Sequence, residues 1–191
     1  MFPISHFNIT KTPFYYYDKT LLSNTLAKLI RLAGERNYHV HYAVKANANP
    51  EILKLIAASG IGADCVSGGE IKAALEAGFP AKKIVFAGVG KADWEIEYAL
   101  EKKIFCFNVE SAEELSVIEE LAKKKENIAS IALRINPNID AHTHEYITTG
   151  LSENKFGIPI EMLDSIFSQI QRSPHVQLVG FHFHIGSQIL N

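Results

Sequence analysis

Short runs of hydrophobic residues alternate with helical patterns from residue 38 onward. Runs of this kind are typical of β-strands, whereas an apolar residue at every third or fourth position is typical of a helix. We predict six strands: YHVHYAVKA (38 to 46), GADCVS (62 to 67), KIVFAG (83 to 88), KIFCFNV (103 to 109), IASIALRIN (128 to 136) and VQLVGFHFHIG (176 to 186). Strands that alternate with helices indicate βα units around a parallel sheet, so the pattern predicts an α/β fold.

Capping residues mark where helices begin between these strands. Asn49-Pro50 places a capping side chain before a proline that fits the first helical position. Capping boxes at Ser67-x-x-Glu70 and Ser111-x-x-Glu114 predict two more helices. Apolar spacing predicts a further two, near 19 to 33 and about 160 to 171.

The strands recur at a regular interval. The first four begin about twenty residues apart, which fits one strand, one short loop and one helix each time. Such regularity favours a (β/α)8 TIM barrel, which has eight units and typically about 250 residues. Because this chain has 191 residues, we expect a barrel truncated after about six strands, with an open sheet as the alternative.

One connection is unusually long. Residues 137 to 159 join the fifth strand to its helix, whereas a βα loop usually has about 2 to 6 residues. Long ordered loops at this end of a sheet are often functional. We expect the segment to select the substrate through hydrogen-bonding groups beside Lys155, namely His142, His144, Tyr146, Thr148 and Thr149.

In the predicted strands the polar side chains occupy alternate positions, so they face the same side of the sheet. Side chains alternate across a strand, and in the fifth strand Ile131, Leu133 and Ile135 leave Arg134 on the opposite face. In a barrel the apolar parity packs under the helices, and the polar parity lines the interior near the C-terminal rim, where active sites lie. We therefore expect one cavity lined by Lys45, Asp64, Asn108, Arg134 and His184.

These residues suit more than one kind of chemistry. A buried lysine among a carboxylate, an arginine and a histidine suits imine formation with a carbonyl or with pyridoxal phosphate. The alternative is a structural ion pair between Lys45 and Asp64. Glu70 is either an active-site residue or simply the capping partner of Ser67. Gly186-Ser187 suits a phosphate, because glycine allows close backbone approach and the hydroxyl donates a hydrogen bond.

Two histidine pairs raise the question of a metal. His182-x-His184 and His142-x-His144 each place two imidazoles on one face of an extended chain. A metal site would normally add carboxylate or cysteine ligands, and the sequence does not place such ligands near either pair. We therefore expect no metal. The simpler interpretation of His182 is a hydrogen-bonded core histidine.

Composition excludes several classes of partner. The formal net charge is −2, from 19 basic and 21 acidic residues, with no basic face for nucleic acid or an anionic membrane. No apolar run approaches about 18 residues, and the N-terminus lacks a signal-peptide pattern. Two cysteines, Cys65 and Cys106, indicate reduced core residues. We expect a cytoplasmic protein.

Four motifs together carry a family resemblance. YAVKANANP, GADCVSGGE, RINPNIDAHTHEYITTG followed by KFGI, and HFHIGSQIL occur in this order. From Thr12 onward the chain resembles the diaminopimelate decarboxylases, within the alanine-racemase-like, fold-type III class of pyridoxal-phosphate enzymes. Ornithine, arginine and carboxynorspermidine decarboxylases share the lysine and HxGS elements, but the INPNIDAHTHEYITTG segment resembles the diaminopimelate branch in particular.

The resemblance implies roles for individual residues. Lys45 would carry pyridoxal 5'-phosphate, His184 would stack against the cofactor ring, and Ser187 would contact the phosphate. Further positions would hold the lysine, the histidine and the ring, namely Asp64, Glu70 and Arg134. The implied reaction is decarboxylation of meso-2,6-diaminopimelate to L-lysine and carbon dioxide by a homodimer.

The resemblance also implies a domain organisation. Residues 1–18, with the FYYYD run, would include a strand of a second, β-rich domain, and residues 19–191 would form a partial cofactor-binding barrel. The family's glycine-rich phosphate loop, its Glu-Pro-Gly-Arg segment and its C-terminal domain do not occur in these residues, so we expect the isolated chain to be inactive. The alternatives are a sister decarboxylase or racemase on the same scaffold and a non-catalytic pyridoxal-phosphate carrier.

Overall fold

The structure is a computed structural model that describes residues 4–137 and 156–184. Its contacts divide the chain into two compact units, Met1–Tyr38 and His39–Asn191. Among the described residues, no helix is long and apolar enough to cross a membrane.

The described part of the first unit, from residue 4 onward, contains two helices. Helix α1 spans Ile4–Phe7 and was not predicted, whereas α2 at Lys19–Gly34 confirms the helix expected near 19 to 33. Asp18 caps α2, because its carboxylate accepts a 2.9 Å hydrogen bond from the Leu21 amide. Residues 14–18 form neither a helix nor a strand. A strand there requires partner strands to pair with, so the strand and the division at residue 18 stay predictions.

The second unit is a parallel sheet with helices between its strands. Its strands are β1 His41–Ala43, β2 Gly62–Cys65, β3 Ile84–Phe86, β4 Cys106–Val109, β5 Ala129–Asn136, β6 Ile158–Pro159 and β7 Val176–His182. Its helices are α3 Pro50–Ala58, α4 Gly68–Ala77, α5 Asp93–Lys102, α6 Ala112–Lys124 and α7 Leu163–Gln171. Every described strand pair is parallel, in the order β1-β2-β3-β4-β5, with both β6 and β7 paired to β5. The predicted α/β class is confirmed.

Several strands are shorter than the sequence predicts. The strand expected over 38 to 46 is reduced to His41–Ala43, and Lys45 lies in a 3-10 turn, Val44–Ala46, rather than at a strand end. The turn forms because the Asn47 amide donates to the Val44 carbonyl at 3.1 Å and directs the chain toward α3. Within the long connection, Ile158–Pro159 forms the unpredicted strand β6, which pairs with Ile135 and Asn136.

The apolar parity forms the core from β2 to β5. Register places Phe86 beside Phe107, and Phe107 beside Ile131, and all three side chains are fully buried. Each such burial contributes roughly 1.5–3 kcal/mol. The fully buried helix residues that share this core include Ile71, Ile96, Leu115 and Ile118.

The expectation that apolar strand residues pack under the helices is wrong for the last predicted strand. Phe181 and Phe183 are 53% and 56% exposed rather than packed under helices. In the described sheet β7 pairs only with β5, and the Phe181 ring makes an edge-to-face contact with Phe167, with 6.3 Å between the centroids. The apolar face of this edge strand is therefore only partly covered.

The first turns of α4 and α6 use the same cap. Ser67 and Ser111 accept hydrogen bonds from the amides of Glu70 and Glu114, at 3.2 Å and 3.1 Å. In return the two glutamates accept from the amides of Val66 and Glu110, at 2.7 Å and 2.8 Å. Both predicted caps are confirmed, although each glutamate reaches one residue further back than in a standard capping box. Helix α6 thereby fixes the backbone at the end of β4.

Candidate functional site

The polar parity lines one face of the sheet toward its C-terminal edge. Register aligns Ala43 with Asp64 and, further along, Arg134 with His182. Lys45 follows β1 in its 3-10 turn and His184 follows β7. The Lys45 charge acts to lower the pKa of both Asp64 and His184, so these three side chains share one site.

Asp64 is a half-buried carboxyl on β2. Burial raises its pKa, and Glu70 adds to this shift while the Lys45 ammonium opposes it. Its Oδ1 atom is buried and has no hydrogen-bond partner among the described residues. Within the described residues, Lys45 and Asp64 are near each other without a direct ion pair, so the structural salt bridge considered as an alternative is not formed.

Arg134 forms the clearest ion pair of the site. Its Nη1 donates to Oε1 and Oε2 of Glu110 at 2.6 Å and 2.8 Å, and both side chains are largely buried. The Arg134 guanidinium carbon lies 5.8 Å from the centre of the Phe156 ring. Glu110 was not among the residues predicted for the site. Its parity was the available signal, because Glu110 continues the polar face from Asn108 one residue after β4 ends.

The two histidines of the last strand differ in environment. Burial and the Arg134 charge lower the pKa of His182 to about 4, and its Nδ1 has no hydrogen-bond partner in the described part of the chain. It is therefore not the hydrogen-bonded core histidine that we expected. The pKa of His184 is also lowered, by burial and by Arg134, although Glu110 opposes the shift. Both imidazoles are neutral near pH 7.

Glu70 caps helix α4 and also lies close to Asp64 of the site. Its Oε2 accepts the 2.7 Å hydrogen bond from the Val66 amide, so it acts as a helix cap. The same carboxylate is close enough to Asp64 to raise the pKa of that residue. Glu70 thus has a structural task at the border of the site, and its contact with a cofactor stays a prediction.

A buried lysine behind the site was also missed. Lys91 Nζ bonds to Oε1 of Glu114 at 2.5 Å and to the carbonyls of Gly88 and Asn108, both at 2.8 Å. The side chain is only 1% exposed. It joins the loop after β3 to the end of β4 and to α6.

Several predicted site residues lie outside the described ranges 4–137 and 156–184. They are the phosphate-binding pair Gly186 and Ser187 and the loop residues His142, His144, Tyr146, Thr148, Thr149 and Lys155.

The described cysteines are unreactive, and the described acidic residues form no metal cluster. Burial raises the pKa of Cys65 to about 12 and that of Cys106 to about 11, so both thiols stay protonated. In the described part of the chain, no three histidine, cysteine, aspartate or glutamate side chains are grouped so that they could hold a metal ion.

Comparison with known proteins identifies the scaffold. The chain is 59% identical over 192 residues to a Bacteroides thetaiotaomicron protein named diaminopimelate decarboxylase, and the match covers 100% of this chain and 50% of that protein. The crystal structure of diaminopimelate decarboxylase from Helicobacter pylori complexed with L-lysine matches with a TM-score of 0.88 and 46% identity, over 98% of this chain and 48% of that one. This chain spans about half the length of the relatives it matches.

A more distant structure shares the fold. The arginine decarboxylase of Paramecium bursaria Chlorella virus matches with a TM-score of 0.80 at 24% identity, over 98% of this chain and 48% of that chain. The likeness to the solved decarboxylases confirms the predicted α/β barrel class and the predicted resemblance. Residues 23–191 match the family described as pyridoxal-dependent decarboxylase, pyridoxal binding domain. The chain therefore belongs to the pyridoxal-dependent decarboxylases.

Proposed function

We propose that this site holds pyridoxal phosphate on Lys45 and that the natural protein converts meso-2,6-diaminopimelate to L-lysine and carbon dioxide. The support is similarity to proteins named diaminopimelate decarboxylase, one of which was crystallised with L-lysine. The observation that carries the proposal is the meeting of an amine, a carboxylate and an imidazole at one edge of the sheet. Lys45 is close enough to Asp64 and His184 to affect both pKa values.

The described residues fit this cofactor. Pyridoxal phosphate has an aldehyde that a lysine amine holds covalently, and Lys45 supplies such an amine. The buried Oδ1 of Asp64 lacks a hydrogen-bond donor, and leaving a buried polar atom unpaired costs about 1–3 kcal/mol. A ligand that brings a donor to this atom removes that cost. Lys45 and His184 would act on the reacting atoms, and the remaining contacts would come from Asp64, Glu70, Arg134, Gly186 and Ser187.

The chain's own groups have separable tasks in the reaction. When bound, the cofactor supplies an electron sink for the charge left as carbon dioxide departs. His184 presents an uncharged aromatic face, because burial and Arg134 lower its pKa. Asp64 keeps a proton more readily than an exposed aspartate, since burial raises its pKa, and it lies beside the amine that must gain and lose protons. Glu110 balances the charge of Arg134 within the same region.

Substrate selection is assigned to the segment between β5 and β6. Both ends of this segment lie at Arg134: β5 continues only to Asn136, and the Phe156 ring lies 5.8 Å from the guanidinium carbon. Because the described residues on either side of this segment lie near Arg134, we infer that the segment contacts the far amino-carboxylate of the substrate. Rejection of simpler amino acids requires polar groups that the wrong ligand leaves unpaired. The residues proposed for this task are His142, His144, Tyr146 and Thr148.

The organisation of the natural protein is part of the proposal. We infer a cytoplasmic homodimer, and the two buried free cysteines fit a reducing compartment. We also infer that residues 14–18 add a strand to a second, β-rich domain. Tyr15 and Tyr17 stack at 6.4 Å, as alternate residues of an extended chain do, and both rings are exposed.

Chemical labelling of Lys45 tests the cofactor assignment. Borohydride reduction of the holoenzyme followed by peptide mapping is expected to place the pyridoxyl group on Lys45, and Lys45→Ala is expected to abolish labelling. Lys54→Ala, which removes an exposed lysine of α3, is the matched control and is expected to label normally. Label on another lysine would show that the assignment is wrong.

A substrate panel tests the reaction. Release of carbon dioxide and formation of lysine are expected from diaminopimelate, with little turnover of ornithine, arginine or carboxynorspermidine. Preference for one of those amino acids would identify a sister decarboxylase. Cofactor binding without turnover of any of them would identify a non-catalytic carrier.

A further inference from the structure

Arg134 is held from two sides by described residues. Its Nη1 donates to both carboxylate oxygens of Glu110, and the Phe156 ring lies near the guanidinium. The side chains of Arg134 and Glu110 are only 13% and 6% exposed. Burial of two charges costs several kcal/mol per ion, so a pair of this kind is weak evidence of a gain in stability. Its consequence is a fixed direction for the guanidinium.

Glu110 is itself held in place by a brace. Its amide donates to Oε2 of Glu114 at 2.8 Å. The other oxygen of Glu114, Oε1, accepts a hydrogen bond from Lys91 Nζ at 2.5 Å. Lys91 also donates to the carbonyls of Gly88 and Asn108. The brace therefore ties Glu110 to the loop after β3, to β4 and to the first turn of α6.

Helix α4 shows that capping does not require this brace. It begins with the same serine and glutamate arrangement, in which Glu70 accepts from the Val66 amide. Among the described contacts of α4, no lysine occupies the second oxygen of Glu70 as Lys91 occupies that of Glu114. The helix cap of α6 therefore does not depend on Lys91. The contacts of Lys91 instead restrict the position of Glu110 through Glu114.

We propose that Glu110 is a positioning residue that directs the Arg134 guanidinium into the cofactor site, with Glu114 and Lys91 holding Glu110 in turn. The inference rests on the proposed function, because Arg134 is one of the assigned cofactor-binding residues. In this proposal Glu110 acts through Arg134, to which both of its carboxylate oxygens are bonded. Arg134 lowers the pKa of His184 and Glu110 raises it. Both charges of the ion pair therefore act on this imidazole, in opposite directions.

A double-mutant cycle in the natural protein tests the proposal. The variants are Glu110→Gln, Arg134→Gln and the two combined, with Glu110→Asp as the conservative variant. Glu113→Gln is the matched control, because Glu113 is exposed on the first turn of the same helix. The readouts are the dissociation constant for pyridoxal phosphate, kcat and KM at saturating cofactor, and thermal unfolding.

Glu110→Gln is expected to weaken cofactor binding about tenfold, the equivalent of one hydrogen bond to a charged group, and to lower kcat with KM unchanged. The double variant is expected to be no worse than Arg134→Gln, Glu110→Asp to recover part of the loss, and Glu113→Gln to behave as wild type. Additive losses, or a lower unfolding temperature with binding and kinetics unchanged, would overturn the proposal.

A crystal structure of the cofactor-free Glu110→Gln protein separates this inference from the proposed function. We expect the Arg134 guanidinium to leave its wild-type direction, whether or not the protein binds pyridoxal phosphate. An unmoved guanidinium would overturn the positioning role. Failure of the wild type to bind pyridoxal phosphate would overturn the proposed function, and with it the cofactor site toward which Arg134 is directed.

Discussion

At the scale of single residues, charge placement distinguishes the two histidines. His182 lies opposite Arg134 in the register of β5 and β7, whereas His184 is influenced by both Arg134 and Lys45. Because His184 lies two residues beyond the C-terminal end of β7, it is nearer than His182 to the edge of the sheet at which Lys45 lies. His182 is a second imidazole beneath it, and its neutrality follows from burial and from the neighbouring guanidinium.

The two histidines are therefore expected to respond differently to substitution. His184→Ala should weaken pyridoxal phosphate binding roughly two- to tenfold, the equivalent of an aromatic contact worth about 0.5–1.5 kcal/mol. His182→Ala should change that affinity less. Titration of the cofactor-free natural protein followed by absorbance gives both dissociation constants, and the opposite ranking would assign the ring contact to His182.

His182 should instead be visible in the pH dependence of stability. Burial lowers its pKa in the folded protein from an ordinary 6.5 to about 4, so between these values only the unfolded chain gains the proton. The unfolded state then binds more protons, and the free energy of unfolding falls as pH falls through this window. Urea unfolding at pH 7 and pH 5 should show a smaller difference in His182→Gln than in wild type. An equal difference would mean that His182 titrates normally.

At the scale of elements, local chemistry explains which helices the sequence reveals. Asn49 accepts hydrogen bonds from the amides of Glu51 and Ile52, and this cap was readable because it involves adjacent residues. Helix α5 begins after Ala92, which has no capping side chain, and its start was not marked. Instead the buried Glu95 accepts from the amides of Ala92 and Gly68, a contact between two helices that local sequence does not show.

Strand ends and the ion pair of the site depend on register. The parity of β5 placed Arg134 on the polar face, whereas its alignment with His182 was not predicted and depends on the register of β5 and β7. The pairing of Arg134 with Glu110 could not be read from either strand, because it depends on how β4 and β5 align. Strand β6 was missed for the same reason, since its two residues are strand only through β5.

The backbone of the turn before β6 requires a glycine at position 157. Gly157 has φ +99°, and a Cβ atom there would lie 2.9 Å from the Arg134 carbonyl oxygen. Gly157→Ala should therefore lower the free energy of unfolding by roughly 1–3 kcal/mol, because both the backbone conformation and the contact are unfavourable. The control is Gly69→Ala, whose Cβ would meet its nearest atom, Ser67 Oγ, at an ordinary 3.7 Å. Denaturant unfolding of both variants checks the difference. Equal effects would show that β5 adjusts to the added methyl group.

At the scale of the whole sheet, the site is an assembly of strand ends. Lys45, Asp64, Arg134 and His184 come from four different βα units, and parallel pairing brings their C-terminal ends to one edge. Hydrophobic alternation predicted the polar face on which Asp64 and Arg134 lie, whereas Lys45 and His184 lie beyond the ends of β1 and β7. The depth of burial and the partners of each charge were not predictable, since both depend on side chains from helices and loops.

The edge strand β7 leads to a prediction for the 191-residue chain expressed alone. Val179 and Phe181 are 42% and 53% exposed on a strand that pairs only with β5 in the described sheet, and Phe183, the residue after this strand, is 56% exposed. An apolar strand edge with free backbone groups is a template for pairing between chains, so we expect this chain to self-associate. Val179→Lys places a charge on that edge and should shift the molecular mass measured by light scattering toward that of a monomer. Val117→Lys makes the same change on the outer face of α6, where Val117 is 37% exposed, and should leave the association unchanged. Equal effects of the two substitutions would attribute the association to overall charge rather than to β7.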